Sequence, residues 1–294
     1  MAEPLPDDTS AVTLADGRRL AFREYGDPSG LPVIFYHGGL NSRAFEAAWD
    51  KTHDITAAAG VRLLALDRPG YGFSSFDEGR SGYSANGAEL GELLAQVEGL
   101  GDGAGVAVLG YSSGGPNALA AAHNLAEAVE GKAPVTVVGM VSPDGPYVDM
   151  DLPRNFPHSM PITPEECGPA AEKMAEGLRH SYEAMSGRPD RHAMLMADLT
   201  EATRQGTKAS AQDTLLERTA WDFKLEDVNP QLRVLLWQGE ADEDVPPDVA
   251  RHIESRLPNV EATFLEGESH SMIRRQWGAI LAALVQAVAD ASKL

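Results

Sequence analysis

Residues 106–116 read Val106-Ala107-Val108-Leu109-Gly110-Tyr111-Ser112-Ser113-Gly114-Gly115-Pro116. A short apolar run enters a Gly-x-Ser-x-Gly pattern, and a helix-forming run, Pro116 to Ala122, leaves it. Strand, tight turn and helix in that order are the context that a nucleophile elbow requires. Glycines on both sides of Ser112 let the strand and the helix approach each other without a clash. The turn pushes the serine hydroxyl outward and sets the helix N-terminus beneath it. Such a short pattern also arises by chance. Its weight depends on whether a base, an acid and oxyanion donors stand where the turn would need them.

Working outward, β-rich and helical runs alternate. Ala11–Leu14 and Leu20–Glu24 flank Asp16-Gly17, a hairpin signal. Pro32–Tyr36 and Val61–Leu66 read as buried strands, with a helix from a Ser42 cap to about Ala59 between them. Glu89–Leu100 is amphipathic at helical spacing. Val135–Val141, Leu232–Trp237 and Glu261–Leu265 are further strands, and Gly278–Ala289 is a closing helix. This alternation predicts an α/β fold, with a mostly parallel sheet covered on both faces and ligands gathered at the carboxyl ends of its strands. From Ser142 to Asp227 no strand is visible. Four prolines (Pro153, Pro157, Pro161, Pro164) precede helical runs around Ala170–Met185 and Arg191–Arg204. That stretch is too long for a plain connection. The expected organisation is a core of residues 1–141 and 228–294, with residues 142–227 inserted as a helical cap. Met174, Met185, Met194 and Met196 are core fillers, or line an adaptable apolar pocket.

A serine hydroxyl needs an adjacent base. Of the eight histidines, His270 follows the last strand after the short loop Glu266-Gly267-Glu268-Ser269. It therefore sits at the carboxyl edge of the sheet, where Ser112 also lies, and the chain order suits a base. His123 lies about three turns into the helix after Ser112. His53, His180, His192 and His252 fall on helical runs, and His158 lies in the proline-rich entry to the cap. The base needs an acid. Asp242, on the loop after Leu235-Leu236-Trp237, is the choice, with Asp244 and Asp144 as alternatives. Backbone donors for an oxyanion are expected from Ser113, at the helix N-terminus, and from Gly39 in His37-Gly38-Gly39, with Leu40 as alternative. His37 itself reads as a side chain that holds the loop.

Composition narrows the partners. The net charge is −20, a field that repels nucleic acid and anionic membrane surfaces. No basic cluster is visible, so the expected substrate is a small molecule, uncharged or apolar. No run approaches the ~20 apolar residues of a membrane span, and the acidic, proline-rich start is unlike a signal peptide. Cys167 is the single cysteine, which fits a reducing cytoplasm. No histidine pair has metal-ligand spacing with an acidic third group. Neither a metal nor a cofactor is expected, and oligomeric state is left open.

The chain resembles an α/β-hydrolase of the serine-hydrolase branch. The resemblance is carried by His37-Gly38-Gly39, Asp67-Arg68-Pro69-Gly70-Tyr71-Gly72, Gly110–Pro116, Gly239–Pro246 and Gly267-Glu268-Ser269-His270. It implies an eight-stranded sheet with a cap inserted after the sixth strand, and a triad of Ser112, Asp242 and His270 with Gly39 and Ser113 as oxyanion donors. The Asp67–Gly72 loop is a landmark of the family with a structural part. The implied reaction is hydrolysis of a small carboxylic ester through an acyl-enzyme. Alternatives are an amidase or aminopeptidase like the proline iminopeptidases, hydroxynitrile lyase chemistry, and a slow or inactive ligand-binding receptor. An aminopeptidase would need a cap acid for the substrate amine, for which Glu165, Glu166 and Glu172 are candidates. Ser113 stands where proline iminopeptidases carry tryptophan, and a serine at the elbow argues against dehalogenases and epoxide hydrolases.

Overall fold

The computed structural model describes residues 4–45, 52–100, 105–128, 135–150, 163–185 and 189–293. Eight strands form one sheet: β1 (Ser10–Thr13), β2 (Arg19–Gly26), β3 (Leu31–Tyr36), β4 (Val61–Leu66), β5 (Val106–Tyr111), β6 (Val135–Val141), β7 (Arg233–Gly239) and β8 (Val260–Leu265). Their order is β1-β2-β4-β3-β5-β6-β7-β8. β1 pairs antiparallel with β2, and β2 with β4, while every later pairing is parallel. The hairpin at Asp16-Gly17 is therefore the antiparallel edge of an otherwise parallel sheet. The parallel run brings the loops after β3 to β8 to one edge, where the candidate residues lie.

The central strands β3 to β6 are buried on both faces because helices cover both. In β5, Val106 and Val108 face a cluster with α2 (Ala85–Gln96), α3 (Gly114–Ala128) and α7 (Pro247–Glu254). Ala107, Leu109 and Tyr111 face the opposite cluster with α8 (Ile273–Ala291). α1 (Thr52–Ala58) packs beside α8, and Trp277 Nε1 donates to Thr56 Oγ1 at 3.0 Å. Each fully buried leucine of these layers contributes ~1.5–3 kcal/mol of transfer free energy.

Between β6 and β7 the described residues hold three longer helices, α4 (Pro164–Glu183), α5 (Pro189–Ala202) and α6 (Lys208–Glu217), and no strand. α4 opens with a capping box, in which Thr163 and Glu166 each bond the other's backbone. Polar ties fasten two of these helices to the sheet's carboxyl edge. Asp198 of α5 accepts from Asn41 Nδ2 at 2.8 Å, from the Ser42 amide at 3.0 Å and from the Ser42 hydroxyl at 2.7 Å. Asp213 of α6 pairs with Arg68 at 2.7 Å and Arg80 at 2.9 Å, and accepts the Tyr71 hydroxyl at 2.7 Å. α4 is held differently: Ala175, with Leu178 and Tyr182, packs on Leu40 and Leu199.

Several expected boundaries move. α2 starts at Ala85 and stops at Gln96, so residues 97–100 turn out of the helix; Val97 is extended, with ψ of 120°. α8 begins at Ile273, before the apolar stretch that suggested Gly278. α6 and α7 are additional helices. Ser42 caps only a local turn, its Oγ accepting from the Ala44 amide at 3.1 Å. Residues 46–51 of the helix expected after Ser42 lie outside the described residues, as do Pro153, Pro157, His158 and Pro161. No described helix is long and apolar enough to cross a membrane.

Candidate active site

β5 delivers Ser112 to the carboxyl edge in a left-handed conformation, with φ of 52°. That region is costly for a residue with a side chain and clusters at functional sites. The conformation is held by three bonds: the Ser112 amide donates to Val141 O at 3.0 Å, and its carbonyl accepts from Gly115 at 2.8 Å and Asp144 at 3.2 Å. The flanking glycines are required by space. A Cβ on Gly110 would overlap the Gly114 carbonyl, and one on Gly114 would overlap the Tyr36 carbonyl.

His270 sits in a short 3-10 turn between β8 and α8. Its Nε2 lies 3.1 Å from Ser112 Oγ and its Nδ1 2.9 Å from Asp242 Oδ2. Asp242 is buried and fully engaged. Oδ1 accepts from the Asp244 and Val245 amides at 3.0 and 2.9 Å, and Oδ2 also accepts from Gln238 Nε2 at 3.0 Å. Tyr111 braces the imidazole from the side, with ring centroids 5.2 Å apart and its hydroxyl donating to His270 O at 3.3 Å. Neutral His270 thus carries its proton on Nδ1, leaving Nε2 to accept from Ser112.

Electrostatics follow from these contacts. Burial pulls the His270 pKa down, but the hydrogen bond and charge of Asp242, with Asp244 and Asp144 behind it, leave it raised. Burial pushes Asp242 up, and the His270 bond and charge outweigh this and leave it lowered. Neither alternative acid bonds the imidazole: Asp144 accepts the Tyr147 hydroxyl, and Asp244 contributes its amide to Asp242. Asp242, Asp244 and His270 bring possible ligand atoms within 4.8 Å of one another. Both ring nitrogens of His270 already face Asp242 and Ser112, so a cation at this cluster would compete with those bonds.

The loop after β3 closes the site. Gly39 lies against Ser113, and neither amide donates to an acceptor among the described residues. Gly39 lines both cavities beside Ser112, whereas the Leu40 side chain is buried under α4 and α5. His37 is a prop, as expected: Nδ1 donates to Gly38 O at 2.7 Å and Nε2 accepts from the Arg68 amide at 3.1 Å. Burial, with the Arg68 charge, holds it well below the usual histidine range, hence neutral.

Two cavities meet at Ser112, of about 580 and 440 Å³. Met185 lines the first and Met174 the second, whereas Met194 and Met196 line neither. The cap acids suggested by the sequence do not reach them: Glu165, Glu166 and Glu172 are exposed on α4. Buried acids do line the second cavity: Glu217 of α6, beside Asp144 and Asp213. Burial and those two neighbours raise the Glu217 pKa well above the ordinary value. Sequence reasoning missed Tyr111, Gln238, Arg68 and Glu217. Tyr111 and Gln238 end strands next to named site residues, a signal available in advance. Arg68 lies in the landmark loop, but its partner Asp213 is remote in sequence, and Glu217 carries no local signal.

A sequence model of the alpha/beta hydrolase family matches residues 33–284. A non-heme chloroperoxidase from Streptomyces lividans is 34% identical over 141 residues, covering 46% of this chain and 49% of that protein. The chain thus matches about half the length of this curated relative. Among solved structures, a bromoperoxidase from Bacillus anthracis superposes with a TM-score of 0.69 at 19% identity, covering 95% of this chain and 99% of the other. An esterase from a Rhodococcus species gives 0.65 at 18% identity over 96% and 99% of the two chains. An enol-lactonase from Burkholderia xenovorans gives 0.65 at 17% identity over 95% and 100%. At such identities the likeness is one of fold.

Proposed function

This chain belongs to the alpha/beta hydrolase family, and from that premise we propose a serine hydrolase that cleaves a small carboxylic ester through an acyl-enzyme. The observation that carries the reading is the hydrogen-bonded row Ser112–His270–Asp242, with spacings of 3.1 and 2.9 Å. Ser112 Oγ attacks the ester carbonyl while His270 Nε2 takes its proton. Asp242 stabilises the imidazolium and holds its orientation. The Gly39 and Ser113 amides, free of other acceptors among the described residues, receive the oxyanion. His270 then gives its proton to the leaving alcohol and activates a water that releases the acid and regenerates Ser112. No metal or other cofactor takes part in these steps. The buried lone Cys167 supports a reducing compartment such as the cytoplasm, and residues 142–227 act as the cap that sets the substrate.

The test is hydrolysis of short-chain p-nitrophenyl esters by wild type and Ser112→Ala, with stoichiometric labelling of Ser112 by an organophosphonate. Loss of turnover by several powers of ten is expected in the variant, and equal rates would refute the assignment. The group of acids that lines the second cavity, Asp144, Asp213 and Glu217, favours a second reading, cleavage of an amide whose substrate amine would bind beside them. Amino-acid naphthylamides assayed beside the esters separate the two.

A further inference from the structure

The larger cavity in front of Ser112 has one feature the composition conceals. Two guanidiniums line it, Arg191 from α5 and Arg274 from α8, and no lysine or further arginine is found among the described lining residues of either cavity. They are far apart in sequence, so no basic cluster is visible there. Only the fold brings them to one cavity.

Neither arginine serves its own helix. Arg191 is the third residue of α5 and Arg274 the second of α8. A cation in the first turn opposes the helix dipole, which favours anions there. Nor is Arg191 spent in a structural pair. It makes no ion pair or hydrogen bond among the described residues, and its Nε is buried without an acceptor. Arg274 packs its guanidinium over Phe45, 5.7 Å from the ring centroid. Burial depresses the Arg274 pKa, and the Arg191 charge acts in the same direction. Two like charges that line one cavity repel each other, and an anion bound beside them lessens that repulsion. Glu243 and Asp244 line the same cavity, but neither pairs with Arg191. A planar guanidinium fork matches a carboxylate in a bidentate manner.

We propose that Arg191 and Arg274 form a carboxylate subsite, so that the substrate is an ester or lactone carrying a free carboxylate besides the bond that Ser112 cleaves. This assignment rests on the serine-hydrolase reading and narrows it, replacing the uncharged substrate expected from composition with an anionic one. The half-ester of a short dicarboxylic acid is the simplest member of the class. Ser112 cleaves its ester bond, water supplies the hydroxyl, and a dicarboxylate and an alcohol are released.

The experiment compares kcat/KM for the mono-p-nitrophenyl ester of glutaric acid with that for p-nitrophenyl valerate, of similar size and no charge. Wild type is expected to prefer the anionic ester by about tenfold or more. Arg191→Gln and Arg274→Gln should each reduce that ratio by about tenfold, and Arg191→Lys should retain part of it. Equal kcat/KM for the two esters in wild type, or a ratio unmoved by both glutamine variants, would overturn the subsite. Circular dichroism on each variant separates loss of preference from loss of fold. If wild type hydrolyses neither ester, the hydrolase reading fails. The subsite is then judged by calorimetry on Ser112→Ala. Monomethyl glutarate binding at least about tenfold tighter than dimethyl glutarate supports it, and equal binding refutes it.

Discussion

The Arg68 guanidinium lies beneath Ser113, its Nη2 donating to the Ser113 hydroxyl at 3.0 Å and to the Gly38 carbonyl at 3.2 Å. One buried side chain therefore ties together the two segments whose amides are assigned to the oxyanion. Its other arm holds Asp213 of α6 at 2.7 Å. The Asp67–Gly72 landmark thus has a positioning task, with no contact to the reacting atoms required of it.

Replacing Arg68 with glutamine should lower kcat by about a hundredfold, as misplacement by an ångström does, with a smaller change in KM. Asp213 would keep Arg80 but lose its other charged partner. Breaking a buried pair costs ~3–5 kcal/mol, and with Arg80 in place the loss should fall at the low end. Ester kinetics and urea unfolding read the two effects separately. An unchanged kcat would remove Arg68 from the positioning of the site.

The pH profile should carry the signature of His270. The base works when neutral, and its pKa is raised above the ordinary 6.5 by Asp242 and its acidic neighbours against the opposing pull of burial. Activity should therefore rise with pH through a limb placed above 6.5 and fall away below it. Asp244→Asn removes one of the raising charges and should move that limb to lower pH. A limb at or below 6.5 in wild type would contradict this environment.

Gly114→Ala should destabilise severely, because its Cβ would overlap the Tyr36 carbonyl, a backbone atom of a central strand that cannot swing aside. Overpacking costs ~1–3 kcal/mol and sometimes more, and this site belongs at or beyond the upper end. Thermal unfolding reads the effect. A melting temperature near that of wild type would mean that β3 and α3 part more easily than their packing suggests.

Asp198 gives a pH dependence of the opposite kind. Burial raises its pKa to about 7, against the pull of the Ser42 and Asn41 bonds. A carboxyl whose folded pKa exceeds its unfolded value contributes stability at acid pH, and that contribution is lost as pH rises through the folded value. Asp198→Asn should therefore compare more favourably with wild type at pH 8 than at pH 5. Urea unfolding at both values checks it, and the same difference at each would refute the linkage.

The legible part of the protein is the part whose chemistry is local. Val61–Leu66 and Val135–Val141 match their strands to the residue because a buried parallel strand is a continuous apolar run. Ser112, Asp242 and His270 are met at hydrogen-bonding distance because each follows a strand that points to one edge. α6 escaped notice because its buried face carries Ser210, Asp213, Thr214 and Glu217, which erases the amphipathic signal. The polar partners Arg68 with Asp213 and Asp198 with Ser42 are separated by more than a hundred residues, and no local pattern records them. No local pattern records Arg191 and Arg274 either, which line one cavity only because of how α5 and α8 are placed.

The unequal fastening of the three helices between β6 and β7 has a practical consequence for altering specificity. α6 lines the second cavity through Ser210 and Thr214 but is bolted through Asp213 to the floor beneath Ser113. A backbone shift there would disturb the chemistry along with the fit. α4 reaches the cavities through Met174, Leu178 and Tyr182, with Met185 just beyond its end, and rests on the core through apolar contact, which tolerates repacking. A library that diversifies those four positions should keep more active clones, and yield more new acceptors, than one of equal size built on α6.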